Sequence, residues 1–345
     1  MDEQPPIELL NLQETQEDLS FAFHPTSFDE YLGQKNLKEK LRVYVQASKM
    51  RDESLDHLLL FGPPGLGKTT LAKVMAKELD TSIKITSAPV LDRSGDLVAM
   101  LSNLSPKEIL FIDEIHRLPK NVEEILYSAM ENFCVDMIVG QGASAKSIRL
   151  PINPFTLIGA TTKTALLSGP LQTRFGIVER IDFYDAEELA EIIIQNAAFF
   201  KIPIEPDAAL SIGKRARGTP RIAKRLLRRV RDFAQVKQLE TINMQVTNNA
   251  MEFLGIDQDG LNKLDRDILI KIIQDFDGGS VGLDTLAAMT GEDKETLGDY
   301  CEPFLLRLGL LQKTPRGRQI PPKKILYLRK RLLGEVISEQ RDLFF

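Results

Sequence analysis

The segment Phe61-Gly62-Pro63-Pro64-Gly65-Leu66-Gly67-Lys68-Thr69-Thr70 decides the fold of this chain. From Gly62 to Thr69 it has the phosphate-loop pattern, in which a glycine and four further residues precede Gly-Lys-Thr. The apolar run at 58–61 predicts a buried strand before the loop, and apolar residues at helical spacing after Lys68 predict a helix. The pattern therefore predicts a strand, a loop and a helix arranged to bind the phosphates of a nucleotide.

The residue types in this loop suit the chemistry of a triphosphate. The three glycines let backbone N–H groups close around the β-phosphate, at the positive end of the following helix. Lys68 is expected to bridge the β- and γ-phosphates, Thr69 to offer its hydroxyl to Mg²⁺, and Thr70 to lie near the α-phosphate. The alternative is a glycine-rich strand-helix turn with an accidental Lys-Thr, which the correct flanking segments disfavour.

A second nucleotide motif, an acidic pair at the end of a strand, follows 44 residues after Thr69. The apolar run at 109–112 predicts a parallel strand buried on both faces, and it ends in Asp113-Glu114. At that end of the strand Asp113 is placed to hold Mg²⁺ through water, and Glu114 to polarise the attacking water. An acidic pair after four apolar residues is common by chance, but downstream of a phosphate loop it indicates nucleotide hydrolysis.

Length and composition bound the class of protein. A chain of 345 residues favours two or three domains, and 43% apolar with 27% charged residues is typical of a globular protein. No apolar run approaches the roughly 18 residues that span a bilayer. The acidic start at 1–6 lacks the features of a signal peptide, so a cytoplasmic protein without a membrane segment is expected. Cys134 and Cys301 have neither disulfide nor metal-site spacing.

Three features between the motifs and the lid leave alternatives open. The segment 135–150 predicts a β-hairpin with its tip at Gly140-Gln141-Gly142, whose apolar residues form either a partner surface or ordinary packing. A strand at 155–160 is followed by Thr161-Thr162, which either sense the γ-phosphate or cap the strand. Arg174 follows a Gly-Pro turn, and spacing alone does not exclude a surface arginine, which is the more frequent location of this residue type.

The remaining chain divides into two further domains. A last strand is predicted at Ile181-Asp182-Phe183, with all-helical sequence from 184 to 255. Nine Lys or Arg and no acid occur between Lys214 and Arg231, on one face of an amphipathic helix. This face contacts nucleic acid, covers the nucleotide or is simply solvated. Three helices and a basic hairpin at 256–330 predict a winged helix. Residues 1–20 are expected to be a flexible segment, 21–183 an α/β domain, and 331–345 a tail.

The basic turn of this winged helix suits contacts with DNA. Lys313, Arg316 and Arg318 flank a short wing stiffened by Pro315, and Lys294 precedes the long helix. Phosphate contacts position a duplex without reading its sequence, and a short basic turn suits such contacts. The alternative is a solvated basic loop. Because the formal charge of the whole chain is -5, DNA binding has to come from such local patches.

In the order of these motifs the chain resembles the AAA+ ATPases, and more closely the RuvB family of Holliday-junction branch-migration motors. The resemblance rests on FGPPGLGKTTLA, LFIDEIHRL, FTLIGATT, RFGIVER, RGTPRIAKRLLRRVRDFAQVK and TPRGR, and it runs from about residue 24 to about 320. It implies an α/β AAA+ P-loop ATPase domain with a parallel sheet, followed by an all-α lid domain and a winged-helix domain. The chain departs from the family at His24, Gln172, Lys294 and Lys313, where arginines are common.

The resemblance also implies the site and its partners. ATP and Mg²⁺ would bind between the first two domains, with Arg221 as the second sensor and Arg174 as an arginine finger reaching a neighbour in a hexameric ring. The residues implied as further nucleotide contacts are Phe23, His24, Glu131, Asn132, Phe133, Thr162 and Tyr184. The hairpin at 135–150 would dock on RuvA, and RuvC would act at the same junction.

Two other classes of function compete with a DNA motor. A protein remodeller or clamp loader uses the same ATPase, but remodellers usually carry a pore-loop aromatic, and none is placed clearly between Thr81 and Glu108. A nucleotide-gated assembly module binds without doing work, and such a module does not need both Asp113 and Glu114.

Overall fold

The computed structural model describes residues 23–139 and 146–335. These residues form two compact units. The first contains the described residues up to Phe200 together with Gly218–Lys224, and the second contains Lys201–Arg217 and 225–335. The expected flexible segment 1–20, the hairpin tip at 140–145 and most of the expected tail lie outside the described residues.

A parallel sheet organises the first unit. Its described strands are β1 (Leu58–Phe61), β2 (Ile83–Ser87), β3 (Ile109–Asp113), β4 (Cys134–Val139), β5 (Lys146–Pro151), β6 (Thr156–Thr161) and β7 (Ile177–Arg180). Five of them form one sheet in the order β2-β3-β6-β1-β7, with every neighbouring pair parallel. This confirms the predicted parallel sheet. It also puts the carboxyl ends of β1, β3 and β6 side by side, where ligands of open α/β sheets bind.

Helices bury both faces of this sheet. The described helices of the unit are α1 (Lys35–Arg51), α2 (Lys68–Glu78), α3 (Ser94–Ser102), α4 (Lys120–Asn132), α5 (Gly169–Gln172) and α6 (Ala186–Phe199). On one face Leu59, Leu110 and Leu157 pack with apolar residues of α3 and α4 in a single core. Helix α2 contacts β3 and β6, and Phe111 and Ile158 are fully buried. Strands buried on both faces explain the continuous apolar runs of the sequence.

The last strand of the sheet is not where the sequence predicted it. The prediction of a strand at Ile181-Asp182-Phe183 was wrong, because the strand is β7, four residues earlier. Arg180 is paired with Phe61, the last residue of β1. Beyond that pair the chain of β1 turns into the phosphate loop, so residues after Ile181 have no strand to pair with.

The predicted hairpin is formed by β4 and β5. The two strands are antiparallel, with Val135 opposite Leu150 and Val139 opposite Lys146. Asp136 accepts two hydrogen bonds from Arg149 across the strands, at 2.8 and 3.0 Å. Ile148 and Leu150 are exposed by 44% and 36%, and they alternate along β5 so that both lie on the same face of the strand. The hairpin thus carries apolar surface that its own domain does not cover.

The second unit combines helices of the lid segment with a winged helix. Its helices are α7 (Pro206–Arg215), most of α8 (Pro220–Val236), α9 (Met244–Phe253), α10 (Lys263–Phe276), α11 (Leu283–Thr290), α12 (Glu302–Arg307) and α13 (Pro322–Leu328). A π-helical turn at Thr296–Cys301 leads into α12, and Pro303 lies in the first turn of α12, where its missing N–H is tolerated. Strands β8 (Gln312–Thr314) and β9 (Gly317–Gln319) form the wing.

Two long-range contacts join distant segments of this unit beside its apolar core. Val281 exchanges backbone hydrogen bonds of 2.8 Å with Arg318 in β9. This antiparallel bridge pairs a third segment of chain with the two strands of the wing. The guanidinium of Arg217 pairs with the fully buried carboxylate of Asp265 in α10, and it lies 4.3 Å from the ring centroid of Phe304. Burial raises the pKa of Asp265, and the charge of Arg217 opposes that rise. In the part of the chain described here, no helix is both long and apolar enough to cross a membrane.

Candidate nucleotide site and nucleic-acid interface

The phosphate loop connects the carboxyl end of β1 to the first turn of α2. The N–H of Gly62 donates to the carbonyl of Thr161 in β6 at 3.1 Å, which ties the loop to the centre of the sheet. The ammonium of Lys68 donates to the carbonyls of Gly62 and Pro63, both at 2.9 Å. Burial lowers the pKa of Lys68 to about 8, although Asp113 and Glu114 oppose the shift. The lysine therefore sits over the loop within the field of both acidic residues.

The acidic pair lies at the carboxyl end of β3, next to β6. The carboxylate of Asp113 accepts the backbone N–H of Glu114 at 2.9 Å. Glu114 has a left-handed backbone, with φ of 49°, which turns its side chain away from the strand direction. Its Oε2 lies 3.4 Å from both His116 Nε2 and Thr162 Oγ1. These two partners orient the carboxylate that was predicted to act as the base.

His116 is a site residue that the sequence analysis missed. Its Nδ1 is 2.9 Å from the hydroxyl of the fully buried Thr161, and its other nitrogen faces Glu114. Burial lowers its pKa, although Glu114 opposes the shift. Its position two residues after Glu114 was the available signal. The network joins Thr161 and Thr162, at the end of β6, to the segment that carries the acidic pair.

The segment Gly218–Lys224 belongs to the first unit and reaches the phosphate loop. The N–H of Arg221 points at the carbonyl of Gly65, at 3.4 Å. Gly65 has φ of +78°, and a Cβ placed on it would lie 2.8 Å from Thr219 Cγ2. Only glycine allows this close approach without strain. The charge of Arg221 also contributes to the lowered pKa of Lys68, so the arginine predicted as the second sensor lies near the lysine.

Tyr184 lies between the loop and the segment before α1. It is buried, and its hydroxyl donates to Tyr31 Oη at 3.0 Å, with Leu66 O at 3.4 Å. Its backbone N–H donates to the carbonyl of Gly218 at 3.0 Å. Burial raises the pKa of Tyr31 to about 12, so both hydroxyls stay protonated at neutral pH. Tyr31 is a second residue that the sequence analysis did not single out.

Phe23 is held by the helices that flank this segment. Its N–H donates to Asn196 in α6 at 3.0 Å, and its carbonyl accepts from Lys224 at 3.1 Å. Its ring makes an edge contact with Phe199. His24 is exposed beside it. The segment predicted to contact the nucleotide is therefore anchored by its backbone between α6 and the start of α8.

Glu131, Asn132 and Phe133 lie near the amino ends of the strands, whereas the phosphate loop lies at their carboxyl ends. Phe133 packs against Phe155, which precedes β6, and Phe155 in turn packs against His57, which precedes β1. The six residues of β6 span roughly 17 Å from the amino to the carboxyl ends of the strands. These three residues do not line the nucleotide site of their own chain.

Arg174 lies beside Glu131, near the amino ends of the strands. Its Nη2 pairs with Glu131 at 2.9 Å, and its Nη1 donates to the carbonyl of Pro170 at 2.7 Å. The guanidinium also stacks 4.5 Å from the ring centroid of Tyr127. The amide of Gln172, where the family commonly has arginine, donates to two carbonyls of the turn that precedes α5. Because the strands are roughly 17 Å long and the phosphate loop lies at their other end, Arg174 cannot reach the phosphates bound to its own loop.

The donor set at the loop fits magnesium held partly by phosphates. Among the described residues no group of three His, Cys, Asp or Glu could hold a metal by itself. Mg²⁺ in nucleotide sites usually takes one or two protein ligands, with phosphates and water completing its shell. Thr69 in the first turn of α2 would offer its hydroxyl, and Asp113 at the end of β3 would hold the ion through water.

The four cations predicted to contact DNA differ in their surroundings. Lys313 and Arg318 are cross-strand partners in the wing, and both pair with Glu302 of α12, Arg318 Nε at 2.8 Å. Lys294 pairs with Asp284. Arg316 is exposed at the tip of the wing, where its N–H donates to Thr314 Oγ1 at 3.2 Å. Sequence spacing had given no sign that Glu302 joins the group.

Comparisons with known proteins agree with this architecture. Residues 23–181 match the family model of the Holliday junction DNA helicase RuvB P-loop domain. Residues 184–257 match the RuvB AAA lid domain, and residues 258–329 match the RuvB C-terminal winged helix domain. Together the three models account for most of the described chain.

Solved structures give the same result. The Thermotoga maritima RuvB Holliday junction branch migration motor is 50% identical, with a TM-score of 0.77 over 89% of this chain and 98% of that chain. A proline-to-glycine mutant of Thermotoga maritima RuvB is 48% identical, with a TM-score of 0.80 over 92% of this chain and 100% of that chain. The FIGL-1 AAA domain is 17% identical with a TM-score of 0.51, over 71% of this chain and 92% of that chain, and shares the fold alone.

Proposed function

Because this chain belongs to the RuvB family of Holliday-junction branch-migration motors, we infer that it hydrolyses ATP to drive duplex DNA through four-way junctions in recombination and repair. The observation that carries this inference is the presence, in one chain, of an assembled phosphate loop with its acidic pair and of a winged helix with a basic wing. A remodeller or clamp loader would share the first feature, but the lid and winged-helix domains of this chain also match RuvB family models.

The hydrolytic step is assigned to residues at the carboxyl edge of the sheet. We propose that Glu114 accepts the proton of the attacking water and that His116 and Thr162 aim its carboxylate. Lys68 would neutralise charge on the β- and γ-phosphates, because its ammonium is already held over the loop. Mg²⁺, bound through Thr69 and Asp113, would supply further charge neutralisation at the phosphates.

The remaining nucleotide contacts are assigned to the segments that close over the loop. Arg221 and Thr219 lie against Gly65, which supports a role for Arg221 as the second sensor. Tyr184, through Leu66, and the segment of Phe23 and His24 would cover the adenosine side of the same site. Movements of Gly218–Lys224 on hydrolysis would then be passed to the helix α8 that it begins.

A ring of subunits completes the site in this proposal. Arg174 lies at the amino ends of the strands, whereas its own phosphate loop lies at their carboxyl ends, and strand β6 spans roughly 17 Å between them, so as an arginine finger Arg174 would act on the nucleotide of a neighbouring subunit. Like Arg174, the segment Glu131-Asn132-Phe133 lies near the amino ends of the strands, and it would face that same neighbour's site. A hexamer is the ring that the family resemblance implies.

The partners follow from surfaces outside the ATPase site. The exposed Ile148 and Leu150 of the β4-β5 hairpin support docking of RuvA there, because apolar patches of this kind mark interaction sites. Lys294, Lys313, Arg316 and Arg318 would contact phosphates of the duplex, and RuvC would act at the same junction. We place this DNA motor in the cytoplasm.

The direct test is branch migration of a synthetic four-way junction by the purified full chain. With ATP and RuvA the chain should separate the junction into its two product duplexes, and the Lys68→Ala variant should not. ATP hydrolysis without any junction movement, in the presence of RuvA and Mg²⁺, would contradict the proposed motor function.

A further inference from the structure

We propose that Glu302 is a positioning residue for DNA binding: it clamps Lys313 and Arg318 at the base of the wing and leaves Arg316 as the cation that reaches a phosphate first. The proposal rests on the inferred binding of duplex DNA by the wing, and it divides roles among cations that sequence spacing treats alike.

Burial of the carboxylate is the first observation. Glu302 begins α12, directly after the π-helical turn, and only 4% of its side chain is exposed. A buried carboxylate is tolerated only when charged or hydrogen-bonding partners compensate its lost hydration. Its two partners are Lys313 and Arg318, one from each strand of the wing. The wing and α12 are therefore joined through one side chain.

The geometry of the wing gives the clamp its effect. Lys313 and Arg318 lie opposite each other in the β8-β9 ladder, so one carboxylate between them fixes both strands. Arg318 also exchanges two backbone hydrogen bonds of 2.8 Å with Val281. A Cβ on Gly317 would lie 2.2 Å from the carbonyl of Val281, so the backbone packs closely at this point. The wing is thus held at its base by both side-chain and backbone contacts.

The exposure of the three cations separates their roles. The side chain of Arg318 is only 23% exposed, whereas that of Lys313 is 61% exposed and Arg316 stands open at the tip. Arg318 has its Nε committed to Glu302. It serves the wing mainly as part of the clamp, while Arg316 at the exposed tip is placed to meet a phosphate first. A two-residue hairpin tip would otherwise be free to swing, and fixing it beforehand lowers the entropy lost on binding.

Replacing Glu302 by glutamine separates positioning from charge. Three cations and one carboxylate give this group a net charge of +2, which the Glu302→Gln variant raises to +3. If charge alone mattered, the variant would bind duplex DNA more tightly and with a steeper salt dependence. If Glu302 positions the wing, the variant binds severalfold more weakly despite its extra positive charge. Glu302→Asp, which keeps the charge but shortens the reach, should also bind more weakly.

The experiment measures binding of the full chain to two unrelated duplexes from low to moderate salt by fluorescence anisotropy. Glu295→Gln is the matched control, because Glu295 is an exposed glutamate near the same helix and its loss changes only charge. Hydrogen exchange of the amides of Val281 and Arg318 gives an independent readout, and it should become at least about tenfold faster in Glu302→Gln. Unchanged exchange in α10 would show that the domain remains folded.

The outcomes distinguish the clamp from the wing itself. Binding by Glu302→Gln that equals or exceeds that of Glu295→Gln, with unchanged exchange at Val281, overturns the clamp. Arg316→Ala should lower the salt slope by about 0.9, the value for one phosphate contact. If Arg316→Ala leaves the slope unchanged, the inferred role of the wing in DNA binding fails, whatever Glu302 does to the exchange rates.

Discussion

Arg174 lies at the amino ends of the sheet's strands and Lys68 at their carboxyl ends. This separation predicts how two inactive variants should behave when they are mixed. Each active site would take its phosphate loop from one subunit and its arginine from the next. Arg174→Ala removes the finger, and Lys68→Ala removes the lysine of the loop. Each variant alone should therefore lose hydrolysis, for Arg174→Ala by roughly 10³-fold to 10⁵-fold.

The fraction of active sites restored by mixing follows from counting subunits. In a random equal mixture, half of the loops and half of the fingers are intact, so about a quarter of the sites combine both, whatever the size of the ring. If the arginine acted within its own chain, no subunit of that mixture would be complete. Equal mixing of the unsubstituted chain with the Lys68→Ala, Arg174→Ala double variant provides the second value. It should give about a quarter of full activity for action between subunits, and about half for action within one chain.

The assay is steady-state ATP hydrolysis at fixed total protein, with subunits exchanged before measurement. Fluorescence energy transfer between labelled variants must show that mixed rings form, because unmixed rings would imitate action within one chain. With mixing demonstrated, no activity in the first mixture together with half activity in the second would refute the assignment of Arg174 to a neighbour's site.

Three further predictions follow from the same structure. Glu114→Gln should keep nucleotide binding but lower hydrolysis by about 10²-fold to 10⁴-fold, since base catalysis contributes that much; binding and turnover are measured separately. Lys68 has a pKa of about 8 and must carry its proton to face phosphates. The contribution of Lys68 to nucleotide affinity should therefore be complete well below pH 8 and fall by up to about tenfold per pH unit above it, as titration calorimetry across that range would show. Asp265→Ala leaves the guanidinium of Arg217 buried without its carboxylate, and should destabilise the winged-helix unit by about 3–5 kcal/mol; thermal unfolding is compared with that of Asp275→Ala, an exposed control.

Each of these predictions has an outcome that contradicts it. Near-normal turnover by Glu114→Gln would remove Glu114 from the role of base. Affinity that stays constant to pH 9.5 would mean that Lys68 keeps its proton there or does not contact the phosphates. Equal melting temperatures for Asp265→Ala and Asp275→Ala would show that the buried pair adds nothing to stability.

The sequence by itself determined the chemistry of the nucleotide site. The phosphate loop, the strand that ends in Asp113-Glu114 and the basic turn at 313–318 are local patterns, and the structure forms each of them at the expected residues. Local patterns suffice because a loop that binds phosphates takes its shape from its own glycines and from the helix that follows it. Apolar residues on every position of a strand likewise announce a parallel sheet buried on both faces.

Only the tertiary structure decided which of these residues meet. The position of β6 next to β3 brings Thr161 to His116 and Thr162 to Glu114. The last strand ends at Arg180 because its partner β1 ends at Phe61, a limit set by a strand more than a hundred residues away. Arg174 is turned from its own phosphate loop, and Arg318 pairs with a buried carboxylate, through contacts that no spacing in the sequence reveals. Pairing between distant segments depends on the energy of the whole packed core, whereas sequence periodicity reports only which side of each segment is buried.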